Sequence, residues 1–391
     1  MHKITGRRRT AIAVAAATTL SLTAAGCASS SGSVSSSGSA SSSAGGGSSN
    51  SADPVTSPSF KPATFNGLGN GTLTLYDISG GVVTTSWLST WGAAFTARTG
   101  IKVRSDFHGD SSALFAGIQA HSAPWDVAMF DGGPAAQAVK NGDLLPLDTK
   151  VIPTNLLNSG STSKYVFSPI INAVLLTWNL DKFPAGGPQP DTIAKFFDTK
   201  KFPGKRCLFK SPQGGGVLEA GSAAAGIPAN KTYPLNTTAA FRELDRIKND
   251  TVWFTSADQA QRSLANGNCA MGILWANRIY SDIHANGAHL GYSWNFAVGD
   301  RVNYAVPKTS PNPKAAQAFL AMMIYDRAGE TQFAKQVGIA PDYKKPLDLP
   351  SDLKALIASK SNLKNAIMTD DAWYGKNLTS LTNKFDAWLV K

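Results

Sequence analysis

From about residue 72 the chain alternates short apolar runs with longer segments whose apolar residues recur at helical spacing. Leu73–Asp77 (LTLYD) reads as a strand that ends in an acid and the breakers Ser79-Gly80-Gly81. Trp87, Leu88, Trp91, Ala94 and Phe95 then fall on one helical face, and Gly100 suits the C-cap of that helix. Ile101–Phe107 predicts a second strand, Ser111–Ala120 a helix and Trp125–Asp131 (WDVAMFD) a buried-type strand, with a helix over 134–141. Strand, helix, strand, helix, strand at these lengths predicts βαβ units and a parallel sheet.

The rhythm changes at Ile170–Asn179 (IINAVLLTWN), an apolar strand long enough to cross between two lobes. A second α/β region follows, with a strand at Arg206–Lys210 and a Gly-rich turn at Gly214–Gly216. Helices are expected over Glu219–Ala225, Thr237–Lys248 and Ser256–Asn266, and a strand over Asn268–Trp275 (NCAMGILW). Tyr304–Pro307 with its flanks reads as a second crossover, and Pro313–Tyr325 as an amphipathic helix. Ligands of open α/β sheets sit beyond the carboxyl ends of strands, which singles out Asp77, Asp131, Gln213 and Glu219.

The first 27 residues have a different pattern. Lys3, Arg7, Arg8 and Arg9 precede an Ala-rich apolar stretch that closes on Ala24-Ala25-Gly26-Cys27. This is an export signal, and small residues before a lone Cys resemble the bacterial lipobox, which implies acylation at Cys27. Residues 28–70 begin as almost pure Ser, Gly and Ala, a composition that stays a flexible tether because it has too little apolar surface to bury. Some 40 such residues span roughly 35 Å, enough to hold a domain above a lipid surface.

Composition narrows the classes that remain. With 42% hydrophobic residues, most of the chain folds, and 391 residues less the N-terminal segment leave room for two domains. No 18-residue apolar run follows the signal, so a polytopic membrane protein is excluded. Net charge drops from +11 to +7 when the four signal cations are removed, and the rest are scattered, so nucleic-acid binding has no support. Beyond Cys27 only Cys207 and Cys269 remain, both on expected strands, and an exported setting favours a disulfide between them.

The ordered series "LTLYDISGG", "FTARTGIKV", "WDVAMFD", "NGNCAMGILWANRIY", "YAVPKTSPNPKAAQAFLAMMI" and "VGIAPDYKK" resembles the extracellular solute-binding proteins of bacterial ABC importers, in particular the spermidine/putrescine-binding family. The resemblance covers roughly residues 70–391. It implies a type II-like, two-lobed periplasmic-binding-protein fold, each lobe a mostly parallel sheet flanked by helices, joined by crossover hinge strands. Lobe 1 is expected over 71–171 and 302–347, and lobe 2 over 172–301 and 348–391. It also implies a lipid-anchored monomer on the outer face of the cell membrane that hands its solute to permease subunits, with no enzymatic activity and no cofactor.

Carried over by position, the resemblance points to Asp77, Ser79 and Gly80 after the first strand, to Asp131 and Gly132 after the third, and to Trp275. The family's ammonium-binding acid lies five residues before the re-entry Pro; Val302 stands there, with Asp300 two residues upstream. From the residues themselves, Asp77, Asp131, Glu219 and Asp300 offer carboxylates to a buried ammonium, and Trp275 and Tyr304 offer aromatic faces. A polyamine-like cation is the first expectation. An anion, amino acid or sugar held by backbone N–H groups of the Gly-rich turns, with Gln213 at one of them, is the rival. Hydrolase and metal chemistry lack their motifs: there is no G-x-S-x-G, and the five histidines form no ligand cluster. A glycan-active enzyme using two carboxylates across a cleft stays open as a third class.

Overall fold

A computed structural model describes residues 65–391; the export signal, Cys27 and nearly all of the tether lie outside them. The first third runs β1 (Thr72–Asp77), α1 (Gly81–Trp87), α2 (Ala93–Thr99), β2 (Lys102–Phe107), α3 (Ser112–Gln119), β3 (Val127–Phe130) and α4 (Gly132–Asn141). The long strand β4 (Phe167–Asn179) leads to α5 (Ile193–Phe196), β5 (Arg206–Phe209), α6 (Val217–Ala224), α7 (Thr237–Asp245), β6 (Thr251–Phe254), α8 (Ala257–Ala265), β7 (Met271–Trp275) and α9 (Ala276–Ala285). A second long strand, β8 (Leu290–Ala305), precedes α10 (Pro313–Tyr325), α11 (Arg327–Val337), α12 (Ser351–Leu356), β9 (Ile367–Met368) and α13 (Asp371–Leu389).

The strands are ordered β2-β1-β3-β8-β4-β7-β5-β6, with β9 beside β8. Both flanks are parallel: β1 pairs with β2 and β3, and β5 pairs with β6 and β7. The two long strands pair antiparallel with each other, from Phe167 opposite Tyr304 to Asn179 opposite Leu290, and join the flanks into one mixed α/β sheet. The second crossover is therefore much longer than the Tyr304–Pro307 signal. Its first half, LGYSWNFAVGD, mixes glycine and polar residues with aromatics and does not alternate cleanly.

Two apolar clusters lie toward the two flanks. One joins Trp87, Trp91 and Phe95 to Phe319 and Phe333, and the other joins Trp178, Phe196 and Phe241 to Phe385 and Trp388. Cys207 and Cys269 form a disulfide in the second flank, with Cα atoms 5.7 Å apart. Among the described residues no helix is long and apolar enough to cross a membrane.

Candidate ligand-binding site

Two adjoining cavities open between the flanks, at the carboxyl ends of β1, β3 and β7. The inner one encloses about 110 Å³ and the outer about 380 Å³; Ser79, Asp131, Asn172 and Trp275 line both. The site falls where strand order reverses around the paired crossovers, as open α/β sheets favour.

Asp131 follows β3 in extended conformation and occupies the N-cap of α4, yet its side chain makes no capping hydrogen bond. The carboxylate is left to the cavity. It is exposed to the cleft, and the protein packed around the cleft pushes its carboxyl up to about 6. Asp300 sits on β8 directly opposite Asn172 of β4. Its Oδ1 accepts from the Arg301 backbone N–H at 2.9 Å and the Thr369 hydroxyl at 2.9 Å. Burial raises its carboxyl well above the usual range, and the charges of Asp131 and Asp371 raise it further.

Glu219 comes from the first turn of α6 and is fully buried at the cavity wall. Its Oε1 accepts from Tyr233 Oη at 2.5 Å and Tyr374 Oη at 2.7 Å. Burial raises this carboxyl, and the two phenol donors oppose the rise. Trp275, the last residue of β7, is held edge-on against Phe209 at 5.3 Å between ring centroids. In the outer cavity Arg278 of α9 pairs with Asp258 at 3.2 Å. The site therefore offers carboxylates within, beside an Arg301 already paired with Asp342, an aromatic wall, and the Arg278 guanidinium farther out.

The other expected residues are distributed differently. Asp77 is fully buried and does not line either cavity. The Ser79 N–H donates to it at 2.8 Å, Ser105 Oγ at 2.9 Å and Thr84 Oγ1 also donates, so three protein donors already engage this carboxylate. Gly80 and Tyr304 border the outer cavity. Gly132 lies behind the wall, packed against the Asp371 carboxylate. Gln213 is buried beside Gly133, and its amide nitrogen has no partner. Of the Gly-rich turns, Gly214 and Gly216 reach the inner cavity, and a Cβ on Gly214 would stand 3.9 Å from Asp131 Oδ2. Asn172, Arg278, Thr369 and Asp371 were not singled out by the sequence reading. Among the described residues no group of His, Cys, Asp and Glu is placed to hold a metal ion.

Comparison with known proteins agrees with this architecture. The family described as bacterial extracellular solute-binding protein matches residues 90–375. A gamma-aminobutyric acid-binding protein of Pseudomonas aeruginosa is 24% identical over 303 residues, covering 74% of this chain and 82% of its own. A solved GABA receptor is 28% identical with a TM-score of 0.73, covering 83% of this chain and 98% of its own. The spermidine/putrescine substrate-binding protein of Streptococcus pneumoniae is 17% identical with a TM-score of 0.61, covering 82% of this chain and 99% of its own, a likeness of fold. These relatives are binding proteins and not enzymes. The chain belongs to the family of bacterial extracellular solute-binding proteins, which capture a small solute and deliver it to the permease of an ABC importer.

Proposed function

We propose that the captured solute is a small amphoteric amine of the γ-aminobutyrate type, bound with its ammonium toward Asp131, Asp300 and Glu219 and its carboxylate toward Arg278. The observation that carries this reading is the uneven lining of the two cavities: Asp131, Glu219 and Asp300 line the inner one beside a single cation, Arg301, that is paired with Asp342, while Arg278 lines the outer one alone, with Asp131 and Trp275 common to both. An ammonium in the inner cavity gains charge-assisted hydrogen bonds from groups otherwise costly to ionise there. An inorganic anion on the Gly214 turn would face Asp131 instead, which disfavours the purely anionic alternative. Two relatives whose names specify γ-aminobutyrate support the same class. A diamine is the competing occupant, because the acids outnumber Arg278, which is already paired with Asp258.

Isothermal titration with γ-aminobutyrate, putrescine, spermidine and glutarate separates these readings. γ-Aminobutyrate is expected to bind in the micromolar range or tighter, with Arg278→Met reducing its affinity at least tenfold. Putrescine binding with γ-aminobutyrate silent would transfer the assignment to diamines, and glutarate binding with both amines silent would overturn the cationic reading altogether. We further infer that Cys27 is acylated and anchors the protein at the outer face of the membrane; intact mass of the protein from its native membrane tests this.

A further inference from the structure

More carboxyl groups gather at and behind the inner cavity than one ammonium balances. Asp131 comes from the start of α4, Asp300 from β8 and Asp371 from the start of α13. Among the described residues no Lys or Arg lies within ion-pair range of any of the three. The nearest candidate, Arg301, turns its guanidinium to Asp342 at 3.1 Å and Ser161 at 3.0 Å.

Asp371 does not line either cavity; it stands behind the wall. Its carboxylate lies on the backbone of Gly132, where a Cβ would meet Asp371 Oδ1 at 1.7 Å. A bare glycine is what admits the carboxylate to the first turn of α4, beside Asp131. Thr369 Oγ1 stands 2.9 Å from Asp300 Oδ1 and 3.5 Å from Asp371 Oδ1, and its single hydrogen serves the nearer oxygen. Two carboxylates at the cavity wall thus have a third held against them from the rear.

We propose that Asp371 is a positioning residue that keeps a proton on the Asp131–Asp300 pair in the empty protein, and that an incoming ligand ammonium expels this proton to solvent. The second half of the proposal rests on the amine reading above. Like charges gathered in one enclosed site do not all ionise. The groups facing the cluster are Arg301 on β8, Asp370 at the N-cap of α13, Tyr374 on α13, and Glu219 of α6 with Tyr233. Of these only Arg301 is cationic, and it is already paired. Burial raises all three carboxyls, Asp131 and Asp371 raise Asp300 further, and Asp131 raises Asp371, in agreement with the geometry. When R–NH3+ enters, a carboxylic acid of the pair becomes carboxylate and its proton goes to the buffer, so affinity rises with pH across the titration of the cluster.

The test uses the full-length protein and its Asp371→Asn variant. Calorimetry with γ-aminobutyrate at pH 6, in two buffers of different ionisation enthalpy, counts the protons released. The wild type is expected to release about one proton per ligand and the variant less than half as many, with a flatter pH profile of Kd. Equal counts and parallel profiles overturn the proposal. A ligand-free arm follows Asp131 and Asp300 by carboxyl carbon NMR. Asp371→Asn is expected to shift both midpoints down by about half a unit or more, and unmoved midpoints overturn the proposal. If no amine binds the wild type, the ligand reading fails, and the NMR arm alone decides the role of Asp371.

Discussion

Stability of the ligand-free protein is expected to fall as pH rises from about 4 to above 6. The perturbation is ionisation of Asp131 and Asp371, whose carboxyls are raised from 3.8 to about 6. A folded-state value above the unfolded one means that the native state binds the proton more tightly. The contribution is present in full below the unfolded value and is lost as pH passes the folded one. At 1.36 kcal/mol per unit, each group converts to about 3 kcal/mol at most. Asp131 is exposed to the cleft and is screened, and the two acids act on each other, so together they are worth about 1–2 kcal/mol. Urea unfolding followed by tryptophan fluorescence, for wild type and Asp371→Asn at pH 4.5 and 7.5, measures the effect. Subtracting the variant removes the opposite contribution of Asp106 and Glu243, whose carboxyls are held low by Trp125 and Arg246 respectively. The variant should gain about 1 kcal/mol on the wild type at the higher pH. A difference that stays flat between the two pH values would refute the reasoning.

Arg206→Met should cost about 3–5 kcal/mol in chemical denaturation, because the buried guanidinium donates to the carbonyls of Phe196 (3.1 Å), Gly204 (2.5 Å) and Phe202 (2.7 Å) and all three would lose their partner; a loss under 1 kcal/mol would contradict it. Replacing Cys207 and Cys269 together by Ala releases a constraint between residues 62 apart, and melting with and without reductant should reveal about 4 kcal/mol of lost stability. Gly216→Ala puts a side chain at φ +67° with its Cβ 2.7 Å from Val174 Cγ2, for an expected cost of about 2–4 kcal/mol. Because Gly216 starts the helix that carries Glu219, ligand affinity measured by titration should fall with it.

Much of the framework was legible because its strands are short, apolar and fenced by glycines and acids. LTLYD lies in β1, WDVAMFD contains β3, and Pro313–Tyr325 is a helix with those same bounds. What escaped notice has a physical reason in each case. Helix α13 buries Tyr374, Leu381, Phe385 and Trp388, a sparse stripe on an otherwise polar segment, and with it Asp371 and Tyr374 went unread. Arg278 lies one turn into the helix that follows Trp275, beyond the strand end at which ligand groups of an open α/β sheet are expected. Asp77 failed as a ligand group for a local reason: Ser79, two residues on, closes a side-chain turn onto it. Asp131 had the same strand-end position but lacked such a donor, and its carboxylate stayed free for the cavity. Two strand-end acids therefore separate through the donors around them: Ser79 and Thr84 nearby in the chain and Ser105 from the neighbouring strand hold Asp77, and Asp131 has no such set.

The pairing of β4 with β8 also makes the sheet itself the mechanical coupling of the molecule. Any swing of one half against the other must twist this two-stranded ribbon, which acts as a torsion bar. Its ladder is interrupted between Phe167 and Ile170 and again between Leu175 and Leu176. Asn172 and Asp300 face each other on the short regular span between those two soft points. Cavity lining and elastic element thus share one piece of backbone, so under the proposed binding mode a solute gripped there would alter the bending stiffness of the ribbon directly, with no relay through distant side chains.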